Sequence, residues 1–380
     1  MQKVAYLLLF GFLTALFAGC RPAPAPAAST AVDDALIGQL IMVGFRGKTI
    51  EEMSPVLREQ ISRGQIGGVV LFDYDVPGKS YDRNIESPEQ VALLVHDLQA
   101  LAPRPLLVAI DQEGGRVMRL KPRYGFPTLP SAQYLGTLND LDSTAFYARQ
   151  NAQTLRALGI NVNFAPVVDL NVNPDNPVIG GYERSFAAEP DLVTAHARRW
   201  IAAHDSLGII SVLKHFPGHG SSTSDSHVGF TDVSTTWSPT ELLPYRTLLA
   251  EDHQLAVMTA HVFNAQLDSL YPATLSQRVI GGLLRQDIGF QGVVFSDDLQ
   301  MKAVHELYDF PTIIEKSLAA GVDVLVFGNN LVYEEDIATR TGQTIRQLLA
   351  EGRITPERLR ASHERIQALK RSAEVHLRED

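Results

Sequence analysis

Eight short apolar runs rich in β-branched residues recur along the chain: LIMVGF (40–45), IGGVVLF (66–72), PLLVAID (105–111), NVNFAPV (161–167), IISVLKH (209–215), LAVMTAH (255–261), GVVFSDD (292–298) and VDVLVFG (322–328). Each has the length of a strand and lacks the polar alternation of a half-exposed one, so each is expected to be buried on both faces of a parallel sheet. Between them lie segments with helical periodicity, at 88–102, 145–159, 191–208 and 239–252, and Gly or Pro stands at most junctions. Strand and helix in alternation predict an α/β protein, and eight repeats predict a single closed (β/α)8 TIM-type barrel. A doubly wound sheet is the competing architecture, which strand counting alone does not exclude. Two further helical segments, 335–352 and 355–372, are expected to cap the barrel from outside. The Pro-rich stretch between Gln112 and the helical pattern at 145 reads as loop.

The first residues differ in kind. Lys3 precedes a largely apolar run, residues 4–18, which has the length of a signal-peptide core and is shorter than the ~20 residues of a spanning helix. It ends in LFAGC, whose Cys20 is the only cysteine of the 380 residues, so no intramolecular disulfide can form. Ala18 and Gly19 before Cys20 resemble a bacterial lipobox, which implies a lipoprotein signal at 1–19 and lipid attachment at Cys20. RPAPAPAAST then reads as part of a stiff Pro/Ala-rich tether, 20–31, leaving 32–380 for one catalytic barrel. The expected location is the bacterial cell envelope, with the membrane engaged through the lipid anchor only. A net charge of −10 argues against nucleic acid as a partner, since that affinity needs clustered Lys and Arg.

Six polar residues, Asp111, Asp169, Lys214, His215, His261 and Asp297, fall at or just beyond the C-terminal ends of the apolar runs. In a (β/α)8 barrel those ends converge on the face where active sites are built. His215, His219, His227 and His261 could ligate zinc, but the first run is followed by no His-x-His pair, and the FPG between His215 and His219 breaks any helix that would pair them. No metal and no cofactor are therefore expected. Nor is there a G-x-S-x-G nucleophile elbow. What remains is carboxylate and imidazole chemistry. Asp225 and His227, two apart, project to the same side of an extended segment and can form a hydrogen-bonded acid/base pair. A carboxylate opposite such a pair is an arrangement for cleaving a glycosidic bond. Asp297 and Asp298 both qualify, and because strand faces alternate, only one is expected to enter the barrel mouth.

The motifs IGGVVLF (66–72), AIDQEGGRVMRL (109–120), NFAPVVDL (163–170), ERSF (183–186), KHFPGHG (214–220), DSH (225–227) and FSDDLQM (295–301) resemble, in that order, those of glycoside hydrolase family 3, in its β-N-acetylglucosaminidase branch. The resemblance implies a β-N-acetylhexosaminidase that removes non-reducing terminal N-acetylglucosamine with retention. It selects Asp297 as nucleophile and Asp225–His227 as a mobile acid/base dyad. It also implies that Asp111, Arg119, Arg184, Lys214 and His215 bind the substrate sugar. The protein is expected to act as a monomer on a carbohydrate. A phosphorylase or β-glucosidase of the same family, or a non-catalytic cell-wall-binding lipoprotein, are the alternatives. The segment NPVIGGYERSF is longer than the branch's usual pattern, and Ala187 stands where glycine is frequent, which bears on the pocket wall near Arg184.

Overall fold

The computed structural model describes residues 32–251 and 253–375. The expected signal, lipidated Cys20 and tether lie outside the described residues. Each of the eight apolar runs supplies one strand: β1 (Ile41–Gly44), β2 (Gly68–Leu71), β3 (Leu107–Ile110), β4 (Val162–Asn163), β5 (Ile210–Phe216), β6 (Leu255–Thr259), β7 (Val294–Phe295) and β8 (Leu325–Phe327). All neighbouring pairs are parallel, running β1 to β7 in sequence order with β8 beside β1. Register pairs such as Val43↔Phe327, Val69↔Val108 and Leu213↔Val257 fix the ring. It closes where Phe295 bridges Val324, helped by hydrogen bonds from Ser296 N to Val324 O and from Leu299 N to Val326 O, both 3.0 Å. That closure rules out the open doubly wound sheet.

Helices Pro55–Ser62, Pro88–Leu101, Pro190–Asp205 and Phe310–Ala320 cover the outside, each with proline in its first turn; the second and third start at or just before the expected positions 88 and 191. Strand residues are buried on both faces as the unbroken apolar runs require, and Phe164 meets Phe295 edge-on at 5.6 Å inside the barrel. The last two helices, Ile337–Ala350 and Pro356–Val375, pack with Asp34–Gln39 outside the ring. Lys370 there donates to Gly67 O (3.1 Å) and Pro105 O (2.6 Å), satisfying carbonyls at the entry to β2 and β3.

Two stretches differ from expectation. The region after Gln112 is not all loop: Gln112–Gly114 and Val117–Met118 form an antiparallel hairpin, and Ala132–Leu138 is helical before Leu141–Ala157 begins. Gly114 (φ 106°) and Gly115 (φ 56°) make the hairpin turn in a backbone region that favours glycine. The segment expected as a helix over 239–252 starts as a 3₁₀ turn, Pro239–Leu242, and its α-helix ends at Leu248.

Candidate active site

At the C-terminal mouth of the barrel lies a cleft of about 400 Å³. Asp111, Arg119, Arg184, Lys214, His215, Asp225, His227 and Asp297 all line it, whereas Asp169 and His261, expected on the same face, do not. Between the charged groups the lining is apolar or aromatic, with Val70, Phe164, Met258 and Val326 buried and Tyr182 exposed. A concave apolar site with convergent charges is the usual form of a small-ligand pocket.

The charges form one network. Lys214, at the end of β5 and only 1% exposed, donates to Asp111 Oδ1 (2.8 Å) and pairs with Glu113 Oε1 (2.6 Å). Arg184 clasps Glu113 with two bonds of 2.8 Å, the fork geometry that a guanidinium offers a carboxylate. Arg119 reaches Asp111 Oδ2 at 3.2 Å, with its guanidinium 5.5 Å from the Phe72 ring centroid. Burial alone would raise the pKa of both acids, but Lys214 and Arg119 hold Asp111 well below the carboxylate range, and Arg184 and Lys214 lower that of Glu113. Both are therefore ionised at neutral pH. Glu113 was not among the sequence candidates, yet its position two residues after Asp111 was a signal, because alternate residues of an extended segment share a side.

His215 is held from behind. Its Nδ1 lies 2.7 Å from Asp169 Oδ2 and its Nε2 lies 3.2 Å from Arg184 Nη2, which assigns the proton to Nδ1. Burial, then the charges of Arg184 and Lys214, lower its pKa well below 6.5, so the ring is neutral. Asp169 also accepts from the amides of His215 and His219, the latter at 2.8 Å. Asp169 and His261 thus stand behind the cleft. His261 bonds Thr274 Oγ1 (2.7 Å) and Asp298 O (2.9 Å), bracing the turn that carries the two aspartates.

Asp297 and Asp298 both line the cleft, against the expectation that only one would, because β7 ends at Phe295 and its strict alternation ends with it. Their engagements separate them. Asp298 Oδ1 accepts from Gln300 N and Gly328 N, each 3.0 Å, and burial together with the neighbouring Asp297 charge pushes its carboxyl up to about 6. Among the described residues, Asp297 makes a single hydrogen bond, Oδ1 accepting from the Asp298 amide at 2.8 Å. Burial would raise its pKa, but the histidines around it, His261 first and also His227, outweigh that and hold it below its usual value.

Across the cleft, Asp225 Oδ1 accepts from His227 N (2.8 Å) and lies 2.7 Å from His227 Nδ1. Burial disfavours the charged ring, but the Asp225 hydrogen bond and the Asp297 charge prevail and raise the His227 pKa above 6.5. With Nδ1 engaged, Nε2 is the atom free to exchange a proton. The long NPVIGGYERSF segment forms the wall beside Arg184, anchored by Asn176, whose Nδ2 donates to His219 O (2.7 Å) and whose Oδ1 accepts from Val178 N and Ile179 N. Among the described residues, no three His, Cys, Asp or Glu side chains are grouped to hold a metal ion.

Residues 32–369 match the family model described as the glycosyl hydrolase family 3 N terminal domain. The chain belongs to glycoside hydrolase family 3. A β-hexosaminidase of Alkalilimnicola ehrlichii is 38% identical over 304 residues, covering 78% of this chain and 82% of the relative. Among solved structures, a family 3 β-N-acetylglucosaminidase from Paenibacillus superposes with a TM-score of 0.82 at 35% identity, over 91% of this chain and 63% of that one. A β-N-acetylhexosaminidase from Beutenbergia cavernae gives 0.79 at 26% identity, over 90% and 99%. With these relatives the expected enzyme class, a hexosaminidase-type glycoside hydrolase, holds.

Proposed function

We propose that this family 3 hydrolase releases non-reducing terminal β-linked N-acetylglucosamine with retention of configuration. The observation that carries the reading is that a lightly engaged Asp297 and the hydrogen-bonded Asp225–His227 pair line one cleft whose far end is a charged network. Asp111, Arg119, Arg184, Lys214 and His215 bind the sugar, their charged groups replacing the water its hydroxyls lose. In the first half-reaction an Asp297 oxygen attacks the anomeric carbon, the glycosidic C–O bond breaks, and His227 Nε2 gives its proton to the departing oxygen. In the second, Nε2 takes a proton from water as its oxygen attacks the same carbon, freeing the Asp297 carboxylate and regenerating the imidazolium. Asp225 keeps Nδ1 protonated and the ring oriented throughout.

The protein works as a monomer in this account, since one chain supplies all of these groups. The lipobox-like LFAGC and the Pro-rich stretch after it support a lipid-anchored envelope protein with its barrel held off the membrane. No described helix is long and apolar enough to cross one. The test is release of p-nitrophenol from the β-N-acetylglucosaminide and the β-glucoside, with and without phosphate. Acetamido-specific, phosphate-independent release supports the reading. Phosphate-dependent release, or preference for the glucoside, sinks it.

A further inference from the structure

The acid/base pair sits on a segment that is mostly open to solvent. Of residues 223–230, Ser226 alone is buried, at 1% exposure, while Val228 and Phe230 are 68% and 50% exposed. The segment is not extended as the sequence suggested: Val228 N donates to Asp225 O at 3.1 Å, closing a turn that leaves Asp225 and His227 lining the cleft and Ser226 buried. Its Oγ lies 3.1 Å from His219 Nε2, and its carbonyl accepts from Ala303 N at 3.3 Å.

Both anchors belong to the reaction centre. His219 is fixed through its amide to Asp169 Oδ1 (2.8 Å), the same carboxylate that grips His215, and its ring meets His215 edge-on at 5.9 Å. Ala303 lies six residues past Asp297, in the short helix Lys302–His305. Ser226 therefore ties the proton donor to the sugar site on one side and to the segment after the nucleophile on the other.

We infer that Ser226 is a positioning residue which, through His219, latches the acid/base segment closed over the cleft. This rests on the reading of His227 as the acid/base. A neutral hydrogen bond suits the task, being weak enough to break when the sugar enters or leaves and re-form before proton transfer. General acid catalysis needs heavy-atom distances of roughly 2.6–3.2 Å, so a segment that spends less time docked delivers the proton less often.

The test compares kcat/KM for two aryl β-N-acetylglucosaminides, one with unsubstituted phenol as leaving group and one with 2,4-dinitrophenol, which departs without a proton. Thermal unfolding of each variant is followed alongside. For Ser226→Ala the latch predicts a loss of roughly 10- to 100-fold on the phenyl glycoside, part of the ~10²–10⁴-fold worth of a general acid, and a change within about twofold on the dinitrophenyl glycoside. Equal losses on both substrates, or no loss on either, overturn it. His227→Ala is measured in parallel and must discriminate more strongly. If it loses both activities equally, the acid/base assignment fails and the latch with it. If it discriminates and Ser226→Ala does not, the latch alone is wrong.

Discussion

Glu241→Gln is predicted to stabilise the protein above neutral pH and to leave it nearly unchanged at pH 5. Glu241 lies under the KHFPGHG turn, 1% exposed, with Oε2 accepting from Gly220 N at 3.1 Å and the Ser221 hydroxyl and amide close enough to oppose part of the effect of burial. Burial, reinforced by the nearby Asp169 charge, pushes its carboxyl from 4.5 up to about 7. The folded protein therefore keeps this proton where the unfolded chain has lost it, so the contribution is complete below pH 4.5 and fades as pH rises through 7. At about 1.4 kcal/mol per pH unit of difference, ionising Glu241 in place costs about 3 kcal/mol, of which roughly 2–3 develops between pH 5 and pH 8. With ~2.1 cal/mol/K per residue over roughly 350 residues, that corresponds to about 3–4 °C in Tm. Gln retains the acceptor for Gly220 and cannot ionise, so calorimetry at the two pH values should show the variant melting higher at pH 8 only. A difference that is the same at both pH values refutes the reasoning.

Further outcomes follow from the site. Asp297→Asn should lower kcat by roughly 10⁴- to 10⁶-fold, the scale for losing an attacking group, with an unchanged melt; a modest loss on the N-acetylglucosaminide contradicts its role. The pH profile of kcat/KM should fall on the acid side below pH 3.8, where Asp297 takes up a proton, and on the alkaline side above 6.5, where His227 loses one. Asp225→Asn should bring the alkaline limb down in pH, since it removes the bond that raises the His227 pKa, and an unmoved limb would separate the pair. Glu113→Gln, which leaves Arg184 and Lys214 short of a carboxylate, should cost about 3–5 kcal/mol in urea unfolding and weaken substrate binding; unchanged unfolding would mean that water replaces Glu113 there.

The fold was legible because burial on both faces writes itself as unbroken apolar runs, and all eight became strands. The cleft was legible because strand ends in a closed barrel converge, which is why Asp111, Lys214, His215 and Asp297 arrive together. Partner choice across the mouth was not. Asp169 and His261 occupy strand ends as Asp111 does, yet they face bracing partners behind the cleft, and only the packed loops decide which side chains reach the substrate. Glu113 was overlooked among the glycines of DQEGG, although its spacing from Asp111 pointed to a shared face. The hairpin after Gln112 carries too few apolar residues to show strand periodicity, and two glycines with positive φ define it instead.

The claim that Asp297 forms a covalent glycosyl-enzyme is tested most directly by trapping it. A 5-fluoro N-acetylglucosaminyl fluoride, which slows the second half-reaction, should inactivate the enzyme, and peptide mass spectrometry should find one added sugar on Asp297. Label on Asp298, or turnover that proceeds with no labelled enzyme and releases product of inverted configuration, would contradict the account.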